Sequence, residues 1–213
     1  MTTQTDRTTV KRIRDRGHYD REVIDPIIDE ALICHVGTIE GDIPMVIPTL
    51  HARIDDHLIL HGSPASRMLR SAKLQEICVT ITLVDGFVLA RSALHHSMNY
   101  RSVVIIGKPE VVPKEEKAAA LDALVDRLIP DRIPALRPMT EKEVKGTAVL
   151  RLPLAEASAK VRTGPPVDEP EDYELPIWAG VLPITNTYGP PETDPSMRFD
   201  VDVPEHVTYY HRG

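Results

Sequence analysis

The stretch Ile47–Arg70, IPTLHARIDDHLILHGSPASRMLR, constrains this chain most. An apolar strand ends at Ile54 and meets a tight Asp55-Asp56 turn, and a second strand, His57–His61, follows. The chain then runs into an amphipathic helix over Pro64–Ala72. Ser63 suits the N-cap, and Pro64 the first helical position, where a missing N–H costs nothing. Unpaired N–H groups and the helix dipole favour an anion at such a start. Ser66 adds a hydroxyl donor, and Arg67 a charged fork that matches phosphate oxygens. This is the grammar of a phosphate cradle without a Walker lysine. It is equally that of a capped helix with surface arginines, and the stretch alone leaves both readings open.

The rest of the chain supplies more strands at short spacing. Residues 1–17 are polar and basic and read as an arm, either flexible or packed across a partner subunit. Asp20–Ala31 reads as a helix with Val23, Ile27, Ile28 and Ala31 on one face and Pro26 inside it. Strands follow at Leu32–Ile39 and Ile43–Ile54, joined by a Glu40-Gly41-Asp42 turn. Pro44 and Pro48 place the second of these at an edge, a bulge or a barrel corner. Glu76–Val84 and Phe87–Ala93 flank an Asp85-Gly86 hairpin signal, and Tyr100–Val112 forms a further strand. Helices are expected at Lys114–Leu128 and at Thr140–Lys145, where Thr140 and Glu143 make a capping box. Strands at Ala148–Leu154 and Trp178–Ile184 bracket a Pro-rich, charged link, and residues 187–213 read as an extended tail. The pattern predicts one mainly β domain, an antiparallel barrel with flanking helices.

Composition narrows the function classes. A net charge of −7 argues against nucleic acid as the main partner. No long uncharged apolar run predicts a membrane span, and the N-terminus lacks the apolar centre of a signal peptide, so a cytoplasmic protein is expected. Two cysteines, Cys34 and Cys78, lie in apolar runs and read as buried thiols.

Few residues carry recognisable chemistry. There is no G-x-S-x-G and no G-x-G-x-x-G. His95 and His96 are adjacent and point apart on a regular strand, and no acidic residue completes a metal set in the sequence, so no metal is expected. What remains is a scattered set of anion-suited groups: Ser66 and Arg67, Tyr100-Arg101-Ser102, and Lys160 with Arg162. Alternation puts Arg101 and Ser102 on opposite faces of their strand, and Lys160 and Arg162 on the same face.

In this order, with SMNYRSVVIIGKPEVV, EASAKVRTGPP and LPIWAGVLPI following SPASRMLR, the chain resembles the pyridoxamine 5′-phosphate oxidase-like split-barrel family. It is most similar to the flavin-nucleotide-binding branch that includes nitroimidazole-resistance reductases. The resemblance spans roughly residues 17–185. It implies a six-stranded antiparallel split barrel, a homodimer, and FMN bound at the subunit interface. Val46, Ile47, Pro48 and Thr49 would run along the isoalloxazine, and Leu60 and His61 would line the ribityl side. Ser66 and Arg67, with Ser63 at the cap, would hold the phosphate. Ser102 would reach the flavin from the partner, with Arg101 beside it, and Trp178 would lie near the ring. Were a deazaflavin bound instead, Lys160 and Arg162 would contribute to the longer basic groove that its tail would want.

Departures from the family pattern bear on the reaction. Met68 stands where the oxidase carries a second phosphate-binding lysine, and MRFDVDVPEHVTYYHRG lacks the segment that grips the pyridoxal substrate. The resemblance thus implies a flavin-dependent oxidoreductase with a small substrate other than pyridoxamine phosphate. His61 or His95 is a candidate proton donor. The alternatives are a flavin carrier or sensor without turnover, or a split barrel binding haem, through His61 or His96, or a deazaflavin.

Overall fold

The computed structural model describes residues 4–211. A short turn of 3-10 helix, Arg14–Arg16, leads into strand β1 (Gly17–His18) and helix α1 (Arg21–Glu30). Strands β2 (Ile33–Glu40) and β3 (Ile43–Leu50) form a hairpin, as do β4 (Ala52–Ile54) and β5 (His57–Gly62), which is followed by helix α2 (Arg67–Ala72). Two long strands come next, β6 (Ile77–Leu89) and β7 (Ser97–Gly107), then β8 (Glu110–Val111). Helices α3 (Lys117–Leu128) and α4 (Glu141–Lys145) precede β9 (Ala148–Pro153), β10 (Ala157–Arg162), β11 (Gly180–Pro183) and the single-turn helix α5 (Glu205–Thr208).

Every strand pairing is antiparallel. Seven strands form one sheet in the order β1-β10-β7-β6-β2-β3, with β11 along the far half of β6. Four form a second, β4-β5-β9-β8. The antiparallel split-barrel layout expected from the sequence is present, built as two open sheets. Between them lies an aliphatic core. Val36, Val79, Ile81, Val103 and Ile105 from the large sheet meet Leu58, Leu60, Leu150 and Leu152 from the small one, with Ile24, Ile27 and Ile28 of α1 closing it. Burying side chains of this size contributes about 1.5–3 kcal/mol each, so this layer holds the sheets together.

Several boundaries move for identifiable reasons. Ile43–Ile54 is not one strand: it breaks at His51, whose buried ring meets the Ile28 carbonyl at 3.0 Å, and the chain passes there from one sheet to the other. Pro44 and Pro48 are accommodated because β3 is an edge strand. Tyr100–Val112 likewise divides, since Pro109 cannot donate to a ladder and β8 joins the small sheet. Asp85-Gly86 is not a turn. The strand runs through as β6, with a bulge between Val84 and Gly86. A Cβ on Gly86 would lie 2.8 Å from the Leu182 carbonyl, so the glycine is there to let β11 approach. Helix α2 starts at Arg67 rather than Pro64. The link after Leu154 contains β10, which pairs residue for residue with β7.

The N-terminal segment folds onto its own chain. Arg7 bridges Glu76 (2.9 Å) and Glu156 (3.0 Å), Thr8 is buried, and the Val10 N–H donates to the Tyr19 hydroxyl (2.9 Å). Near the other end, the Tyr210 hydroxyl donates to the Leu128 carbonyl (2.6 Å) and its ring meets Tyr188 edge-on. Cys34 is buried, and burial pushes its thiol up to about 12. Cys78 is exposed, contrary to expectation, because it alternates onto the outer face of β6.

Candidate functional site

The β5–α2 junction is built by two nested turns. Ser63 accepts the Ser66 N–H through its carbonyl (2.9 Å) and the Ala65 N–H through its hydroxyl oxygen (3.2 Å). Ser66, not Ser63, caps the helix: its hydroxyl oxygen accepts the Leu69 N–H at 3.4 Å, which leaves its own O–H free to donate. Arg67 is 71% exposed and lies 3.7 Å from Glu40, a loose ion pair that leaves its fork available. His61, at the end of β5, is half-buried; burial lowers its pKa, and its buried Nδ1 has no hydrogen-bond partner among the described residues. Leu60 is buried in the core, so its side chain has no surface to offer a ligand.

On β3, Val46 and Pro48 alternate onto the outer face of the large sheet, where Val46 is 62% exposed. Ile47 and Thr49 point the other way, opposite Val36 and Cys34, and Ile47 packs against the core. Across that outer face, Pro48, His35, Thr80, Val104 and Ser158 form one cross-strand row. Thr82, Ser102 and Lys160 form the next. The Ser102 hydroxyl donates to the Lys160 carbonyl at 3.3 Å.

Arg101 and Arg162 are held by the protein itself. The guanidinium of Arg101 spans Glu30 (2.7 Å) and Asp85 (2.7 Å), and these hydrogen bonds raise its pKa. Asp85 is the extra residue of the β6 bulge, which turns its carboxylate toward Arg101. This pair borders a cavity of about 550 Å³ that also includes His35, Thr82 and the segment Ile184–Tyr188. Arg162 is buried, bonded to the Asn99 side chain and to the carbonyls of Gly164 and Pro165 (both 3.3 Å). Trp178 is 70% exposed, and its ring lies against Gly180, where a Cβ would come within 3.0 Å.

Within one chain the anticipated groups thus fall into separate places. Ser66 and Arg67 belong to the small sheet's end, whereas Ser102 and Lys160 line a cavity of about 280 Å³ on the large sheet. That cavity also holds Lys11 and Arg12, residues of the arm that sequence reasoning did not assign to a site. Their run of basic residues was the available signal.

The fold also assembles a group the sequence did not reveal. His95, Asp168 and Asp172 bring ligand atoms within 4.8 Å of one another. Asp168, however, accepts the Arg91 backbone N–H (3.0 Å) and its guanidinium (2.9 Å), and Arg91 stacks over Tyr173 at 4.7 Å. An arginine already neutralises this carboxylate, so the cluster reads as an internal clamp.

Comparison with known proteins fits this architecture. A sequence profile described as pyridoxamine 5′-phosphate oxidase matches residues 20–161. A search of curated proteins finds no match. The solved flavocytochrome Anf3 from Azotobacter vinelandii is 44% identical, with 98% of each chain covered and a TM-score of 0.93. An FAD and heme binding protein from Mycobacterium smegmatis is 35% identical over 90% of this chain and 95% of that one, with a TM-score of 0.87. A candidate 5-nitroimidazole antibiotic resistance protein from Bacteroides thetaiotaomicron is 26% identical over 68% of this chain and 86% of its own, with a TM-score of 0.58.

Proposed function

The chain belongs to the pyridoxamine 5′-phosphate oxidase family, and we propose that it is a flavin- and haem-binding redox protein acting as a homodimer. The observation that carries this is the 44% identity, over 98% of both chains, to a flavocytochrome. The FAD named for the Mycobacterium relative favours FAD over the FMN expected from the sequence resemblance.

The residues present fit both groups. For the flavin, Ser66 keeps a free O–H and Arg67 a largely unengaged guanidinium, side by side at the start of α2. For haem, a histidine axial ligand must be a neutral imidazole with a lone pair to give. His61 is a candidate, because burial lowers its pKa and so favours the neutral ring, and its Nδ1 has no hydrogen-bond partner among the described residues. His96, the other candidate, has its Nδ1 against the Ser92 carbonyl at 2.9 Å, which leaves Nε2 available, but it is exposed. When bound, the flavin supplies hydride and single-electron chemistry and the haem a one-electron partner. The chain's own residues bind and orient: β3 offers an edge backbone, Arg67 places a positive charge, and Trp178 presents an exposed ring.

The outer face of the large sheet supports the dimer reading. Val46, Gly37, Cys78 and Ile106 make one cross-strand row there, beside the row through His35 and Thr80. A sheet face turned to water normally alternates to polar side chains. Beside polar residues such as Thr80, Ser102 and Lys160, this one carries the small and apolar row Val46, Gly37, Cys78 and Ile106, which suits burial against a second copy. In that dimer Ser102 of one chain would approach the flavin held by its partner.

A visible spectrum of the purified protein, before and after adding FAD and hemin and desalting, tests the reading. Flavin bands and a Soret band are expected, and His61→Ala should lose the Soret band while keeping the flavin. A wild-type protein that retains neither group would overturn the proposal.

A further inference from the structure

The arm and the β7–β10 pair enclose the cavity of about 280 Å³ noted above. Lys11, Arg12 and Lys160 line it together with the hydroxyl residues Thr8, Ser102 and Ser158, and no carboxylate among the described residues does. None of the three cations forms an ion pair among the described residues, in contrast to Arg7, whose guanidinium is taken by Glu76 and Glu156. Ser158, 6% exposed, is part of that lining. A hydroxyl lining a cavity beside cations can donate to an anion held there.

The charge here runs against the chain as a whole. The protein carries −7 overall, yet Arg7, Lys11, Arg12, Arg14 and Arg16 fall within ten residues. The nearby Arg162 has its pKa lowered, first by burial and then by repulsion from Arg16. The arm is nevertheless held in place, because Arg7 and Thr5 both bind Glu156. Positive charge with no ion pair among the described residues, facing hydroxyl side chains, suits an anion. Val10 and Val104 add apolar surface, so the cavity suits more than a bare phosphate.

We propose that this cavity binds the adenosine diphosphate portion of a dinucleotide, with Lys11, Arg12 and Lys160 on the phosphates and Ser158 donating to them. The inference deepens the flavin reading above, because Ser102 belongs both to this cavity and to the face that would approach the partner's flavin. Two dinucleotides share the chemistry: FAD itself, or a nicotinamide dinucleotide that serves as reductant. Nothing bonds covalently in this step; only binding is assigned.

The test titrates ADP, FAD, FMN and NADPH into the wild-type protein and into Lys160→Glu, Arg12→Glu and Ser158→Ala, with ADP added in the presence of excess FMN. Thermal melts confirm that each variant folds; Arg12 is exposed, so its reversal leaves the core untouched. Wild type should bind ADP, and either charge reversal should weaken it roughly tenfold or more, the scale of one charge-assisted hydrogen bond. Ser158→Ala should weaken it several-fold without a charge change. If FAD is the occupant, FAD affinity falls by the same factor while FMN stays within about twofold. If a nicotinamide dinucleotide is, NADPH binding falls and both flavins are unchanged. Equal ADP binding by wild type and variants, or none by wild type, overturns the proposal. A protein that binds ADP but neither flavin would instead overturn the flavin reading and leave this site standing.

Discussion

Arg101 on β7 and Glu30 at the end of α1 face each other fork to fork, and Asp85 completes the set from the β6 bulge. All three side chains are about 30% exposed, so water screens the pair only in part. Removing the guanidinium would leave two carboxylates side by side at a sheet end. Arg101→Ala should therefore destabilise the fold by about 2 kcal/mol in urea denaturation. If stability is unchanged and flavin affinity falls instead, Arg101 is a ligand and not a strut.

That relationship marks where sequence reading stopped. Alternation correctly separated Arg101 from Ser102, because a strand's period is fixed by its backbone. It could not show that a bulge would turn Asp85 toward Arg101, since a bulge depends on what β11 does some 95 residues later. Capping was legible where it is local: Thr140 and Glu143 form the capping box that their spacing implies. It misled at Ser63, because Pro64 sits in a turn before the helix and Ser66 takes the cap. Strand β10 was lost among prolines that begin only after it ends. The family was legible because its residues recur in order; the arm's cavity was not, because Lys11 and Lys160 meet only through tertiary folding.

Asp168 gives a pH dependence with a definite sign. Burial raises its pKa, but the Arg91 N–H and guanidinium outweigh that and hold the carboxyl below its usual value. A depressed native pKa contributes stability that is fully present above the unfolded value, about 3.9, and is lost as pH falls through the native one. Melting temperature should hence drop on acidification below about pH 4. Asp168→Asn, already unable to ionise, should be less stable at neutral pH and show a shallower acid limb. An acid limb identical to wild type would mean that this clamp does not set it.

Thr80 sits at the middle of the large sheet's outer face, opposite His35 on one side and Val104 on the other. A charge there meets water in a monomer and a second sheet in the proposed dimer. Light scattering should give twice the chain mass of 23.7 kDa for wild type and the single-chain mass for Thr80→Arg. A wild-type monomer at micromolar concentration would remove the dimer, and with it the approach of Ser102 to a partner's flavin.

Trp178 is the chain's single tryptophan, so its fluorescence reports one place. The ring is 70% exposed and rests on Gly180, whose missing Cβ is what lets it lie there. An exposed indole emits as if in water, and a planar flavin coming against it would remove water and quench it. Titration with FAD should lower the emission saturably and in step with binding measured by the flavin's own absorbance. Gly180→Ala should displace the ring and weaken the quenching more than it weakens binding, because the added Cβ strikes only the indole's resting place. Emission that ignores bound flavin would put Trp178 outside the site and leave Ser66 and Arg67 as the groups to test by substitution.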